Sequence, residues 1–440
     1  MTLNEAIPLD PLPEFPSVDS APADEQLDLL EQLREAVSTV LVIEREEGVS
    51  YRGNFGIMFA GVLQHDPDEA YRRLEGVLTP LGFTAFLQRK GGTDVVLAMQ
   101  GLLRSPESSD KQANNGRLRR VLNLAGRSPL WLHGALLLAT AASVIFAGSL
   151  LLGADMSSLG DIVATGTPFA LALLFILGVH EMGHYLAARY HQVNVTLPFF
   201  VPLPIPGSLG TLGAVIFIRS ALKTRRSLFD VGISGPLAGM VVALPIFVIG
   251  LLLPPIEFGA PINLIFQRVG VPVLLQAIGG LVVDGNISQA ILVHPVALAA
   301  WFGVLLTALN LLPMGQFDGG HIAYALVGRY AWVLAFAVFG LLIVAGILLW
   351  PTWLVWAVLA VMTGLRHPPP HNDITPLDLK RRILGGLTIL LFLLIIVPQP
   401  ITTRQTFSLN SNTPPLPTIA VPDIPTPVPF DLGASSAPES

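Results

Sequence analysis

The chain has 440 residues, of which 52% are hydrophobic and 13% charged, against roughly a quarter charged for an ordinary soluble domain, so it belongs in a membrane. The formal net charge of -6 comes without a basic stripe, which excludes nucleic acid as a partner. With no cysteine, thiolate metal sites, disulfides and cysteine nucleophiles are excluded, and any metal must be held by His and carboxylate.

Residues 1–23 are acidic and Pro-rich, lack the basic and apolar regions of a signal peptide, and read as a disordered leader. Residues 24–105 have the pattern of a small α+β soluble domain. A helix is expected near Asp24 to Val37 and a strand at Thr39 to Ile43. A second helix is punctuated by Asp66, Pro67 and Gly82, and strands at Phe83 to Leu87 and Asp94 to Ala98 flank a Gly91-Gly92 turn. Residues 106–128 form a basic linker with Lys111, Arg117, Arg119, Arg120 and Arg127, and the connection after the first apolar run, Leu130 to Gly153, has no Lys or Arg. By the positive-inside rule the N-terminus is cytoplasmic.

Further spans are expected at about Thr167 to Tyr190, Leu228 to Leu253 and Val296 to Leu312, at two crossings between Ala331 and Gly364 turning at Pro351, and at Ile383 to Val397. Arg189, Arg219, Lys223, Arg225, Arg226, Arg329, Arg366 and Lys380 to Arg382 are topology anchors on the inner side. Between the second and third spans, Val193 to Ser220 is too rich in Pro and Gly for one helix. Irregular backbone at membrane depth needs cover, so this is a re-entrant or strand-forming element beside the site. The fold class is therefore a polytopic α-helical membrane protein of about seven transmembrane segments with a re-entrant or β element, plus the N-terminal α+β domain. The membrane domain covers 129–398, and the Pro-, Thr- and Ser-rich tail, 399–440, is expected to be disordered.

Within the second apolar span stands His180-Glu181-Met182-Gly183-His184. Residues four apart share a helix face, so both imidazoles can reach one zinc ion, and Glu181 stands beside the open position as the base that takes and returns a water's proton. Gly183 allows close approach of backbone or substrate. A charged group at this depth is expensive to insert, which favours a functional site over two core histidines. A third ligand is needed, and Asp318 fits: Pro313 ends the fourth span, Gly319 and Gly320 permit a tight turn, and both elements reach comparable depth from the inner side. Asn310 has two readings, a substrate-orienting or oxyanion-stabilising group and a helix-end residue bonded to backbone. His294 and His321 read as structural or solvated.

These residues resemble the site-2 proteases, intramembrane metalloproteases that cut membrane-anchored substrates in regulated intramembrane proteolysis. That family's H-E-x-x-H corresponds to His180 through His184, and its N-x-x-P-x-x-x-L-D-G to Asn310 through Gly319, with Phe317 in place of Leu. Gly210 to Ile216 and Ser234 to Gly239 are similar to elements flanking the family's active site. The N-terminal domain, the wording around Asp318 and Arg366-His-Pro-Pro-Pro370 resemble the EGY branch of cyanobacteria and chloroplasts, with Gly53 to Gly56 an incomplete match to that branch's G-N-L-R. The resemblance implies one catalytic Zn2+ on His180, His184 and Asp318, with Glu181 activating water. It also implies membrane-protein substrates with a transmembrane helix, unwound and paired in extended form near Gly213 to Phe217. The implied location is multi-pass in the lipid bilayer of a bacterial inner (plasma) or thylakoid-like membrane. A metal transporter would also bury His and Asp, but would show internal repeats. A silent scaffold would lack Glu181 or a ligand, and all four residues are present.

Overall fold

The computed structural model describes residues 23–51, 54–100, 129–205, 208–220, 222–255 and 268–402. The leader, the basic linker and the tail beyond Thr402 lie outside them. At the N-terminal end, α1 (Ala23–Ser38) and α2 (Pro67–Leu78) cover one four-stranded antiparallel sheet of β1 (Leu41–Tyr51), β2 (Asn54–Leu63), β3 (Phe83–Lys90) and β4 (Thr93–Gln100), in the order β1-β2-β4-β3. Asp66 caps α2 by accepting from the Asp68 N–H, and Pro67 takes the first helical position. Leu33, Val37, Phe59, Leu74, Phe83, Leu87 and Val96 make the core. β2 is an addition to the expected elements. Its Gly56 and Gly61 blunt the apolar alternation that marks a strand, and Gly61 sits where a side chain would strike the Val42 carbonyl across the hairpin.

Among the described residues four helical stretches are long and apolar enough to cross a membrane: Leu130–Leu152, Leu159–Tyr190, Arg225–Leu252 and Asp318–Leu348. The first three are α3, α4 and α5. Two shorter apolar helices, α8 (Pro295–Asn310) and α11 (Thr352–Thr363), accompany them. The connection between α5 and α8 carries β7 (Arg268–Val269), α6 (Val273–Gly279) and α7 (Ile287–Leu292). Leu171, Phe175, Val241, Ile347 and Leu348 point outward, and an outward apolar belt is what lipid requires.

Several bounds differ from the sequence reading. α4 begins at Leu159, well before Thr167, because Ser158 caps it by accepting from the Asp161 N–H. α5 begins at Arg225, where Thr224 and Ser227 form a reciprocal capping box. The stretch from Asp318 is α9 (Asp318–Val327), a 3-10 turn at Gly328–Tyr330, then α10 (Ala331–Leu348), so it starts thirteen residues before Ala331. α11 has 12 residues and at 1.5 Å per residue reaches about 18 Å, short of a hydrocarbon core of about 30 Å. The last helix is α12 (Leu379–Ile395), pinned to α5 by Arg381, which forks onto both carboxylate oxygens of Asp230 at 2.7 and 2.6 Å. Near the end of the described residues, β8 (Ile401–Thr402) pairs antiparallel with β7.

The irregular segment after α4 is a hairpin of β5 (Phe199–Leu203) and β6 (Gly210–Val215), extended by a bridge between Val195 and Ile218. One strand, β5, packs on α3, and β6 runs on toward the middle of α4.

The N-terminal sheet is docked onto the membrane domain through residues 371–373. This segment adds to β3, with the Leu87 N–H donating to the His371 carbonyl (2.7 Å) and the Asp373 N–H to the Leu87 carbonyl (2.9 Å), while the Asn372 N–H donates to the Lys223 carbonyl (2.7 Å). Asn372 is fully buried; its amide nitrogen donates to Asp68 Oδ1 (3.1 Å) and Thr375 Oγ1 (2.9 Å). Arg226 to Asp68 (3.0 Å) and Lys223 to Glu75 (2.6 Å) flank this contact.

Candidate metal centre

Helix α4 is longer than a membrane is thick, and His180 lies ten residues, about 15 Å, from its C-terminal end, well inside the apolar stretch. Helix spacing puts His180 and His184 on one face, and that face is turned toward α5. α5 can come this close because its contact positions are glycines. A Cβ on Gly235 would lie 2.0 Å from His184 Nε2, and one on Gly239 would lie 3.1 Å from His180 Nδ1. In return Gly183 admits the α5 backbone: a Cβ there would lie 2.5 Å from the Ser234 carbonyl oxygen. Of the two readings for Gly183, close approach of backbone is the one observed.

Asp318 arrives from the other direction. α8 ends at Asn310, Pro313 prevents its continuation, and the chain doubles back so tightly that a Cβ on Gly319 would lie 2.0 Å from the Leu311 carbonyl. Asp318 opens α9, and its carboxylate meets both imidazoles. His180 Nε2 and His184 Nε2 are 3.2 Å apart, and Asp318 Oδ2 is 3.3 Å from the first and 3.2 Å from the second. All three residues are buried or nearly so, with His180 at 3% exposure and His184 at 5%.

That triangle suits a zinc ion. Ligand atoms at about 2.0–2.1 Å from a tetrahedral ion stand about 3.3 Å from one another. The chemistry of the donors agrees. His184 Nδ1–H donates to the Val231 carbonyl at 2.7 Å, which leaves Nε2 with its lone pair facing inward. That lone pair, the second imidazole nitrogen and a carboxylate oxygen stand 3.2–3.3 Å apart in a largely buried setting, an arrangement a cation among them would stabilise. Among the described residues this is the one group of three or more His, Cys, Asp or Glu placed to hold a metal.

A cavity of about 240 Å³ opens beside the triangle. Glu181, Asn310, Gln316 and His321 give it its polar groups, and Ala214 through Ile216, the end of β6 and the residue after it, form one wall. The Ile216 backbone N–H faces the Glu181 carboxylate. Asn310 Nδ2 lies 3.4 Å from His180 Nε2, so its side chain is turned to the metal triangle. His294, as expected, is structural: its Nδ1 accepts from the Val296 N–H and caps α8. His321 is neither solvated nor isolated. It lines the cavity, and its Nδ1 is 2.6 Å from His367 Nε2. Gln316 and the Val231 carbonyl escape a reading of motifs, and Gly235 and Gly239 were read only as part of a flanking segment. The signal for the two glycines lay in Ser234 to Gly239, a cluster of small residues inside an apolar helix.

Apolar helices close around a buried His-His-Asp triangle that could hold a metal ion, with a glutamate in the adjoining cavity. Residues 168–348 match the model of Peptidase family M50, from within α4 to the end of α10. Over 259 residues the chain is 32% identical to "Probable zinc metalloprotease EGY1, chloroplastic" of Arabidopsis thaliana, covering 56% of this chain and 45% of the relative. It is 32% identical over 248 residues to "Probable zinc metalloprotease EGY2, chloroplastic" of the same plant (54% and 43%), and 30% identical over 312 residues to EGY2 of Oryza sativa subsp. indica (69% and 53%). The chain spans about half the length of the relatives it matches. No solved structure matches it.

Proposed function

We propose that this chain is an intramembrane zinc endopeptidase that hydrolyses peptide bonds in or near transmembrane segments of membrane proteins, with His180, His184 and Asp318 as metal ligands. The observation that carries the reading is the triangle of 3.2–3.3 Å among their ligand atoms, buried at membrane depth. His180, His184 and Asp318 would hold a zinc ion that, when bound, would supply Lewis-acid polarisation of the scissile carbonyl and lower the pKa of an attacking water.

The chain's own groups do the rest. Glu181, in the cavity beside the triangle, takes the proton of the attacking water on its carboxylate and returns it to the leaving amine. Asn310 Nδ2–H is aimed at the same place and donates to the oxygen that becomes negative as the carbonyl is attacked. A peptide bond inside a helix is shielded, so the substrate must unwind. Within the run from Gly213 through Phe217, Ala214 to Ile216 wall the cavity and would align the extended segment past Glu181.

The long helices, the shorter α8 and α11 and the last helix α12 support about seven membrane-inserted segments within 129–398. The soluble domain, 24–105, lies on the cytoplasmic side by the charge of its flanks. A bacterial inner membrane or a thylakoid-like membrane is the expected setting.

Purified protein and the Glu181→Gln variant test the reading by zinc content and cleavage of a model transmembrane substrate. Both should bind one zinc, and the variant's turnover should fall roughly 10²–10⁴-fold, the usual range for loss of a general base. Equal cleavage by the two, or absence of zinc from wild type, would overturn it.

A further inference from the structure

We propose that a second cavity, between the N-terminal domain and the base of the membrane domain, binds a phosphate-bearing anion. The cavity measures about 510 Å³, within the usual range for small-ligand sites. It is separate from the metal centre: the N-terminal domain contributes Arg89, Gly91 and Gly92, and the membrane domain contributes Arg225, Arg329, Tyr330 and Asp373.

Three guanidinium groups thus face one carboxylate, and that carboxylate is already engaged. Asp373 accepts from Arg225 Nε at 2.7 Å through one oxygen and from the Tyr324 hydroxyl at 3.0 Å through the other. Arg89 holds Asp94 through its Nε alone, at 2.6 Å. Arg329 has no carboxylate partner among the described residues. Its Nη2 reaches the Tyr330 hydroxyl at 3.4 Å and its guanidinium lies 5.3 Å over the Tyr330 ring. The cavity therefore carries an uncompensated positive charge on planar forks suited to tetrahedral oxyanions. The Gly91-Gly92 turn, with φ of 59° and 91°, offers a rim with no side chain to close the mouth.

The residues around the cavity have the character of a membrane–water boundary. Tyr330 caps the start of α10 and Trp332 lies in its first turn, and Arg329 and Arg366 stack over their respective rings, the second at 5.9 Å. Aromatic rings paired with basic residues mark the membrane–water boundary. A phosphate here reaches arginines of both domains at once, so its binding reinforces the docking at Asn372. Either an anionic lipid headgroup or a soluble phosphate compound has this chemistry.

The test uses the full chain in uncharged detergent and phosphate-free buffer, with thermal unfolding as the readout. The probes are short-chain phosphatidylglycerol, short-chain phosphatidylcholine as the neutral counterpart, and inorganic pyrophosphate. At least one anionic probe should raise the Tm saturably while phosphatidylcholine does not. In Arg329→Gln the half-saturating concentration should rise about tenfold, the order expected when one charge-assisted contact is lost. Arg72→Gln, an exposed charge on α2 away from the cavity, should leave it unchanged. Response to phosphatidylglycerol alone assigns a lipid headgroup, response to pyrophosphate alone a soluble ligand, and response to both the shared phosphate. No saturable response to either, or equal response of wild type and Arg329→Gln, overturns the proposal. Because cleavage is not measured, the outcome is independent of the peptidase reading.

Discussion

The two histidines and Asp318 were legible because their signals are local: an i, i+4 pair in an apolar helix, and an acid in a Pro-Gly turn. What holds them in place was not, because it comes from α5, some fifty residues away in sequence. Gly235 is the sharpest case, since a Cβ there would stand 2.0 Å from His184 Nε2, the proposed ligand atom itself. Gly235→Ala should therefore displace the imidazole or push α5 away. Zinc content after dialysis should fall well below one per chain, and cleavage should fall with it. Gly340→Ala is the comparison, because nothing lies within 4 Å of a Cβ there, and alanine in a helix interior is favoured by up to about 1 kcal/mol. If Gly235→Ala retained full zinc, the close fit of α5 against the histidines would not be what holds the site.

At the scale of elements, apolar runs located the crossing helices well and their starts poorly. A helix extends as far as its cap allows, and Ser158 and Thr224 lie outside the apolar runs they serve. The segment between the second and third spans was legible as irregular from its Pro and Gly, yet its hairpin register depends on pairing that composition does not encode. The edge of that hairpin yields a prediction. Ile216→Pro removes the N–H that faces Glu181, whereas Ile216→Ala keeps it. If an extended substrate is aligned along this edge, the proline variant should lose at least tenfold in kcat/KM, about 1.4 kcal/mol, with zinc content unchanged, and the alanine variant should lose much less. Equal activity in both variants would remove the edge from the substrate path.

The contact between the two domains had no sequence signature, since Asn372 and Asp68 lie 304 residues apart and neither belongs to a motif. It nevertheless carries a titratable group. His371 is buried beside Phe86 and at 3.1 Å from the Tyr71 hydroxyl, and burial pushes its imidazole down to about 4 from an ordinary value of 6.5. The docked state thus holds His371 neutral, while an undocked chain protonates it near its ordinary value. At pH above about 6.5 both states are neutral and docking is undisturbed. As pH falls from 6.5 toward 4 the undocked state gains a proton that the docked state refuses, and docking weakens progressively, in the limit by about 3 kcal/mol. Hydrogen exchange at the Leu87 amide, which donates to the His371 carbonyl, reports on this contact directly. After correction for intrinsic exchange, its protection should drop across that interval in wild type and stay flat in His371→Gln. A drop of the same size in His371→Gln would place the responsible titration elsewhere in the interface, while a flat wild-type profile would mean that protonated His371 is accommodated without undocking.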